Sequence, residues 1–263
     1  MIVFAAITPH SPMLIPSIGK EHSDKLDCTK QALEKLAQQL YIAKPDTIVM
    51  FSPHATMYPD AFSGNISANY KGVLKEFGDH GTMVEMKPDS MLSDRVHRHM
   101  RLETVPYTLT SSEEIDFGYS VPLFFLTAQL KGLRLLPIAP SLLTGDAHMK
   151  FGQALKDVLH AETSRIAVIA SADLSHHTNQ NSPEGYKAEG EAYDKIMRKA
   201  VSEISPAVFS ALDDNILEEA GQCGYRPVLI LLSMLEGMNA VSEELCYEAP
   251  FGVGYLTANF TLA

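Results

Sequence analysis

The chain has 263 residues, 46% hydrophobic and 20% charged, which is enough apolar surface for a sizeable core. A formal net charge of −11 excludes nucleic acid and anionic membrane as partners, because both need a basic face. No apolar run reaches about 18 residues, so no membrane span is expected.

The segment 1–6 is apolar but has no basic leader, unlike a signal peptide. A buried strand is expected over 2–7, short and β-branched, stopped by Pro9. A helix follows over 23–41, capped by Ser23, with Leu26, Ala32, Leu33, Leu36 and Leu40 near helical spacing. Residues 47–52 form a second buried strand ended by Pro53, and 62–70 an alternating strand. The pattern then predicts a helix over 89–100, a strand over 104–109, a helix over 121–130 and a strand over 133–139. Residues 146–161 are helical, and 165–170 are the clearest buried strand in the chain. Helices over 186–201, 206–217 and 227–236 precede two closing strands within 244–262, separated by Pro250-Phe251-Gly252.

This order predicts an α/β fold with a central, mostly parallel mixed sheet, helices on both faces and antiparallel C-terminal strands. Proline and glycine are spread evenly, so residues 1–263 read as a single domain. The three cysteines, Cys28, Cys223 and Cys246, are too few and scattered for a disulfide framework, which makes the cytoplasm the expected compartment. Cys28 and Cys246 read as packing residues.

Three histidines fall just after predicted strands: His10, His54 and His176. Ligands of open α/β sheets bind beyond the carboxyl ends of strands, so these imidazoles are placed to converge on a metal or on a proton-transfer site. His97 and His99 sit among arginines on a polar helix, and His22, His80, His148 and His160 read as surface residues. Cys223 lies between Gly221 and Gly224, where the chain can turn sharply; it reads either as a small buried hydrophobe or as a ligand. Glu218 and Glu219 are either solvated acids at a helix end or a carboxylate ligand. Asp116 reads as a helix cap or a pocket residue, and Asp173 as a turn residue or an imidazole-orienting acceptor. His177 reads as an exposed neighbour of His176 or a substrate contact. Tyr225 and Arg226 follow Cys223 closely enough to line a pocket, where Arg226 would hold a substrate carboxylate.

Several blocks occur in matching order: Ala6-Ile7-Thr8-Pro9-His10-Ser11-Pro12, Ser52-Pro53-His54, Ser171-Ala172-Asp173-Leu174-Ser175-His176, Gly221-Gln222-Cys223-Gly224 and Pro250-Phe251-Gly252-Val253-Gly254-Tyr255. Together they resemble the catalytic B-subunit fold of class III extradiol dioxygenases, and within it the Memo-like proteins. The resemblance implies that His10 and His54 are ligands of a non-haem iron(II), that His176 is the acid–base residue, and that the third ligand position is Cys223. That last position holds glutamate in the dioxygenases, so Glu219 or Glu218 is the alternative carboxylate, and the thiolate brings zinc and copper in as alternative metals. The implied reaction is oxygen-dependent ring opening of a catechol-like or aminophenol-like aromatic. The alternative is a Memo-like metal-binding protein with a role in metal or redox handling or in protein binding. A homodimer is the expected assembly.

Overall fold

A computed structural model describes residues 1–262, the side chains at 210 and 211 excepted. Three strands rich in β-branched and small residues lie side by side at the centre of one sheet: β1 (Ile2–Thr8), β9 (Ile166–Ser171) and β2 (Thr47–Phe51). All three run parallel, with Thr8 paired to Ser171 and Phe51 to Ala170. Apart from an irregularity between Ile2 and Phe4, their side chains alternate between two cores. Ala5, Ile7, Val49, Phe51, Val168 and Ala170 face one; Phe4, Ala6, Ile48, Met50, Ala167 and Ile169 face the other. Helices cover both faces, so every central strand is buried twice, which is why these stretches read as continuous apolar runs.

The sheet extends outward from this centre. Beyond β2 lie β8 (Arg134–Ala139), β5 (Asp79–Pro88), β4 (Tyr70–Leu74) and β7 (Glu114–Ile115); beyond β1 lie β11 (Tyr255–Leu262) and β10 (Ala240–Glu248). Strand β3 (Phe62–Asn65) joins β8 antiparallel and β6 (Tyr107–Thr110) parallel. Among the described residues the sheet has 11 strands, and its C-terminal pair is antiparallel, as the sequence predicts.

One core is closed by α3 (Ser90–Leu102), α5 (Gly145–Ala161), α6 (Ala188–Glu203) and α8 (Tyr225–Leu235), the other by α2 (Asp27–Ala43) and α4 (Phe117–Leu126). Two short helices, α1 (Pro16–Gly19) and α7 (Asp214–Glu219), sit in connections. Full burial of an apolar side chain such as Ile169 stabilises by roughly 1.5–3 kcal/mol, so these alternating strands carry much of the fold.

Several expectations change. Residues 62–70 form two strands rather than one, and β5 was not expected at all. Ser23 does not cap α2; a tight 3-10 segment (Lys20–Leu26) precedes it, and the Ser23 hydroxyl accepts from Lys30 Nζ at 3.1 Å. Cys28 and Cys246 are not separate packing residues. They form a disulfide between α2 and β10 across 218 positions of sequence. Pairing across such a distance depends on β10 being folded back against α2. Among the described residues no helix is long and apolar enough to cross a membrane.

Candidate metal centre

His10 follows β1 by two residues, after Pro9 has ended the strand. The ladder between β1 and β9 continues past the strand end, with Ala172 N–H donating to Thr8 carbonyl at 2.9 Å. The next link is a side chain: Asp173 Oδ1 accepts the His10 main-chain N–H at 2.8 Å. His54 follows β2, and its N–H donates to Ser52 Oγ at 3.2 Å, while that hydroxyl donates to Asp116 Oδ1 at 2.6 Å. Cys223 arrives from the junction between α7 and α8. Gly221 there has φ +57, and a side chain on it would meet His177 Nε2 at 2.7 Å. A Cβ at Gly224 would meet the Asp173 carbonyl at 2.7 Å, so two glycines let this turn press against the end of β9.

The outcome is convergence. One donor atom each from His10, His54 and Cys223 lie within 4.8 Å of one another. His10 Nε2 is 3.0 Å from His54 Nε2 and 3.4 Å from Cys223 Sγ. The His10 tautomer follows from its other nitrogen. Ser171 Oγ donates to the Gly118 carbonyl at 2.5 Å, so its contact with His10 Nδ1 at 2.8 Å makes the imidazole the donor. His10 Nε2 therefore carries a lone pair, and two ring nitrogens this close need a shared proton or a shared cation between them. Nitrogen and thiolate ligands of one transition metal, at ~2.1 and ~2.3 Å from it, lie roughly 3.0–3.6 Å apart. The donor spacing fits such an ion, and the serine behind His10 is the acceptor that fixes a metal-binding tautomer.

Electrostatics agree with neutral ligands. Burial pushes His10 down to about 3, with the charge of His176 adding to it. His54 is also pushed down to about 3, first by desolvation and then by His10 and His176. Its ring stacks on Phe117 at 4.2 Å while its other side is open. Burial raises the Cys223 thiol far above its ordinary value, and Asp173 adds to the effect. Burial raises Asp173 itself to about 7, against the opposing pull of the His10 N–H and of His176.

The remaining residues named from sequence fall into two groups. His176 belongs with the centre: it lies close enough to couple electrostatically to His10, His54 and Asp173, and its Nε2 is buried without a protein partner. Its N–H and the Ser175 hydroxyl both donate to the Ala220 carbonyl, at 3.1 and 2.7 Å, which ties the histidine turn to the Cys223 turn. His177 is buried rather than exposed, and its Nδ1–H donates to the Gly185 carbonyl at 2.8 Å. Glu219 is held by Lys187 at 2.8 Å and Glu218 is exposed; neither joins the three donors. Asp173 accepts the main chain of His10, and its Oδ2 lies 3.7 Å from the ring Nε2. Arg226 acts electrostatically on His148, Tyr193 and Tyr225 and does not line the cavity beside His54; Tyr225 lines a separate groove with Phe209. His148 is fully buried, contrary to the surface expectation, because α5 turns it inward against Phe62.

Ser52 and Ser171 stand in the quoted sequence blocks without a role, and Phe117 is given none. Ser171 becomes recognisable only once β1 and β9 are neighbours, which puts its hydroxyl behind the His10 ring. Next to His54 opens a cavity of about 340 Å3 lined also by Tyr58, Asn65, Ser111, Glu114 and Asp116. Asp116 caps α4 through the Gly118 N–H at 2.8 Å, and burial raises it to about 6.

Comparisons with known proteins bear on the family and the fold. A protein of Clostridium acetobutylicum, CA_C1420, is 28% identical over 258 residues, covering 95% of this chain and 55% of its own length. The chain thus spans about half of that relative. A MEMO1 family protein of Methanococcoides burtonii is 24% identical over 206 residues, covering 78% of this chain and 69% of its own. In fold, the crystal structure of the uncharacterized protein JW3007 from Escherichia coli K12 superposes with a TM-score of 0.70 at 15% identity, covering 98% of this chain and 99% of the other. Residues 4–258 match the family described as the catalytic LigB subunit of aromatic ring-opening dioxygenase. With almost its whole length matched and a MEMO1 family protein among its relatives, the chain belongs to the LigB family of the class III extradiol dioxygenase superfamily, in line with its Memo-like branch.

Proposed function

We propose that His10, His54 and Cys223 hold a divalent transition metal, iron(II) in the first instance, and that the protein oxidises a small catechol-like or aminophenol-like aromatic with dioxygen. The observation that carries this reading is the convergence of donor atoms from His10, His54 and Cys223 within 4.8 Å of one another. Bound iron(II) would supply open positions for two adjacent substrate oxygens and for dioxygen. The protein's own part is positioning and proton transfer. Ser171 and the Phe117 ring fix the two imidazoles. His176, whose Nε2 has no protein partner, accepts the proton that a substrate hydroxyl gives up. Asp173 carries charge beside the site that varies near neutral pH, because burial raises it to about 7.

One observation favours a second reading, a Memo-like metal protein without ring cleavage. The third donor is a thiol, and among the described residues no carboxylate belongs to the three-donor group, although Asp173 Oδ2 comes within 3.7 Å of His10 Nε2. A thiolate suits zinc or copper(I) as well as iron, and is itself open to oxidation.

Anaerobic purification with metal analysis, then iron(II) reconstitution and oxygen uptake with a catechol panel, separates the two. Near-stoichiometric iron with uptake that disappears in His10→Ala supports the oxygenase. Tightly held zinc or copper with no uptake on any catechol supports the second reading, and a chain that binds no metal overturns both.

A further inference from the structure

The cavity beside His54 has a chemical character that bears on substrate class. Of the three donors only His54 lines it, so a ligand reaching the metal centre from this side passes its distal part through the cavity. Its walls are hydroxyl-rich, including Thr56, Tyr58, Thr110 and Ser111. No lysine or arginine lines it, and two acids do: Glu114 and Asp116. Glu114 is partly neutralised at the rim by Lys75 Nζ, 3.3 Å away. Asp116 is different. Its hydrogen bonds from Ser52 Oγ and from Gly118 N–H both fall on Oδ1, and the Tyr119 main chain also acts on the carboxylate. Among the described hydrogen bonds none uses Oδ2, and that atom is not among the sealed, partnerless ones. A ligand donor can therefore add to Asp116 without displacing the helix cap. An anionic substituent would meet this carboxylate with no cation to offset it, on a protein of net charge −11.

Resting on the catechol reading above, we propose that this cavity is a specificity pocket which selects aromatics bearing a protonated amine over carboxylated ones, with Asp116 Oδ2 as the acceptor. This replaces the sequence expectation of a carboxylate held by Arg226, which lies outside the cavity. A charge-assisted hydrogen bond exceeds a neutral one by an amount equivalent to roughly tenfold in affinity.

The test is calorimetric titration of the metal-loaded full chain under nitrogen with dopamine, methylcatechol, protocatechuate and phenethylamine. Oxygen is absent, so the readout is binding and not turnover. The expected order is dopamine tightest by about tenfold over methylcatechol, with protocatechuate weakest. Asp116→Asn keeps a helix-capping side chain, and should bring dopamine level with methylcatechol within that variant. Protocatechuate binding as well as dopamine would overturn the inference and leave the catechol reading standing. Phenethylamine binding without any catechol would leave the amine selectivity intact and sink the catechol reading. A dopamine preference that survives in Asp116→Asn would remove Asp116 from the pocket's chemistry, and no binding by any of the four would overturn both proposals.

Discussion

Ser171 spends its single hydroxyl proton on the Gly118 carbonyl, and this makes it an acceptor for His10. Removing it frees the His10 ring to rotate and to change tautomer. Ser171→Ala should weaken metal affinity about 10–100-fold, the usual cost of losing a partner behind a ligating imidazole. Competition with a chromophoric chelator measures this, and an unchanged affinity would show that packing alone holds the ring. A second expectation concerns protons. His10 and His54 are pushed down to about 3, so neither has a proton to lose above pH 5. The Cys223 thiol is pushed up and must ionise to bind. Above pH 8 Asp173 is already ionised, since it titrates at about 7. Metal affinity should therefore rise about tenfold per pH unit there, with one proton released per ion. In Cys223→Ala the slope should vanish; a slope that persists would mean another group supplies the proton.

At the level of elements, the site depends on turns meeting at the ends of strands. Gly224 lets the start of α8 sit against Asp173, where a Cβ would come within 2.7 Å of a carbonyl oxygen. Gly224→Ala should cost roughly 1–3 kcal/mol in urea melts and should also displace Cys223, weakening metal binding. The α4 cap offers a contrast: Asp116→Ala should cost about 1 kcal/mol of stability, and Asp116→Asn much less. These same elements show what a sequence reveals. Strands β1, β2 and β9 are legible because burial on both faces leaves almost no polar residue in them. Strand β5 is not, because half of its residues are exposed, and His80, Gly81, Lys87 and Pro88 give it the look of a loop. His10, His54 and His176 were legible as strand-end residues, and Cys223 as a cysteine between glycines. The partners behind them were hidden, since Ser171 acquires meaning only from a parallel register between strands more than 150 residues apart. His148 shows the reverse failure, a polar residue that α5 rotates into the core.

Across the whole molecule, the Cys28–Cys246 disulfide joins α2 to β10 and thereby clamps the C-terminal edge of the sheet to a helix on its face. A covalent closure of so long a loop should contribute about 2–4 kcal/mol. Denaturant midpoints with and without reductant should differ accordingly in the wild type and not in Cys28→Ser. A wild type indifferent to reductant would mean that the two sulfurs are not joined in solution.

The sheet order also governs when the metal centre can exist during synthesis. Strand β1 is made before the other strands of this sheet, yet its two neighbours, β9 and β11, are among the last of them. His10 and His54 are available early, while Cys223 and the serine that fixes the His10 tautomer arrive only in the final 40% or so of the chain. A nascent chain that captured an ion with two histidines alone would hold it without the thiolate and without the correct ring orientation. If the three donors hold an ion as proposed, stable loading waits until the segment carrying Cys223 has been made, and a tightly bound ion would report that the central strands have closed.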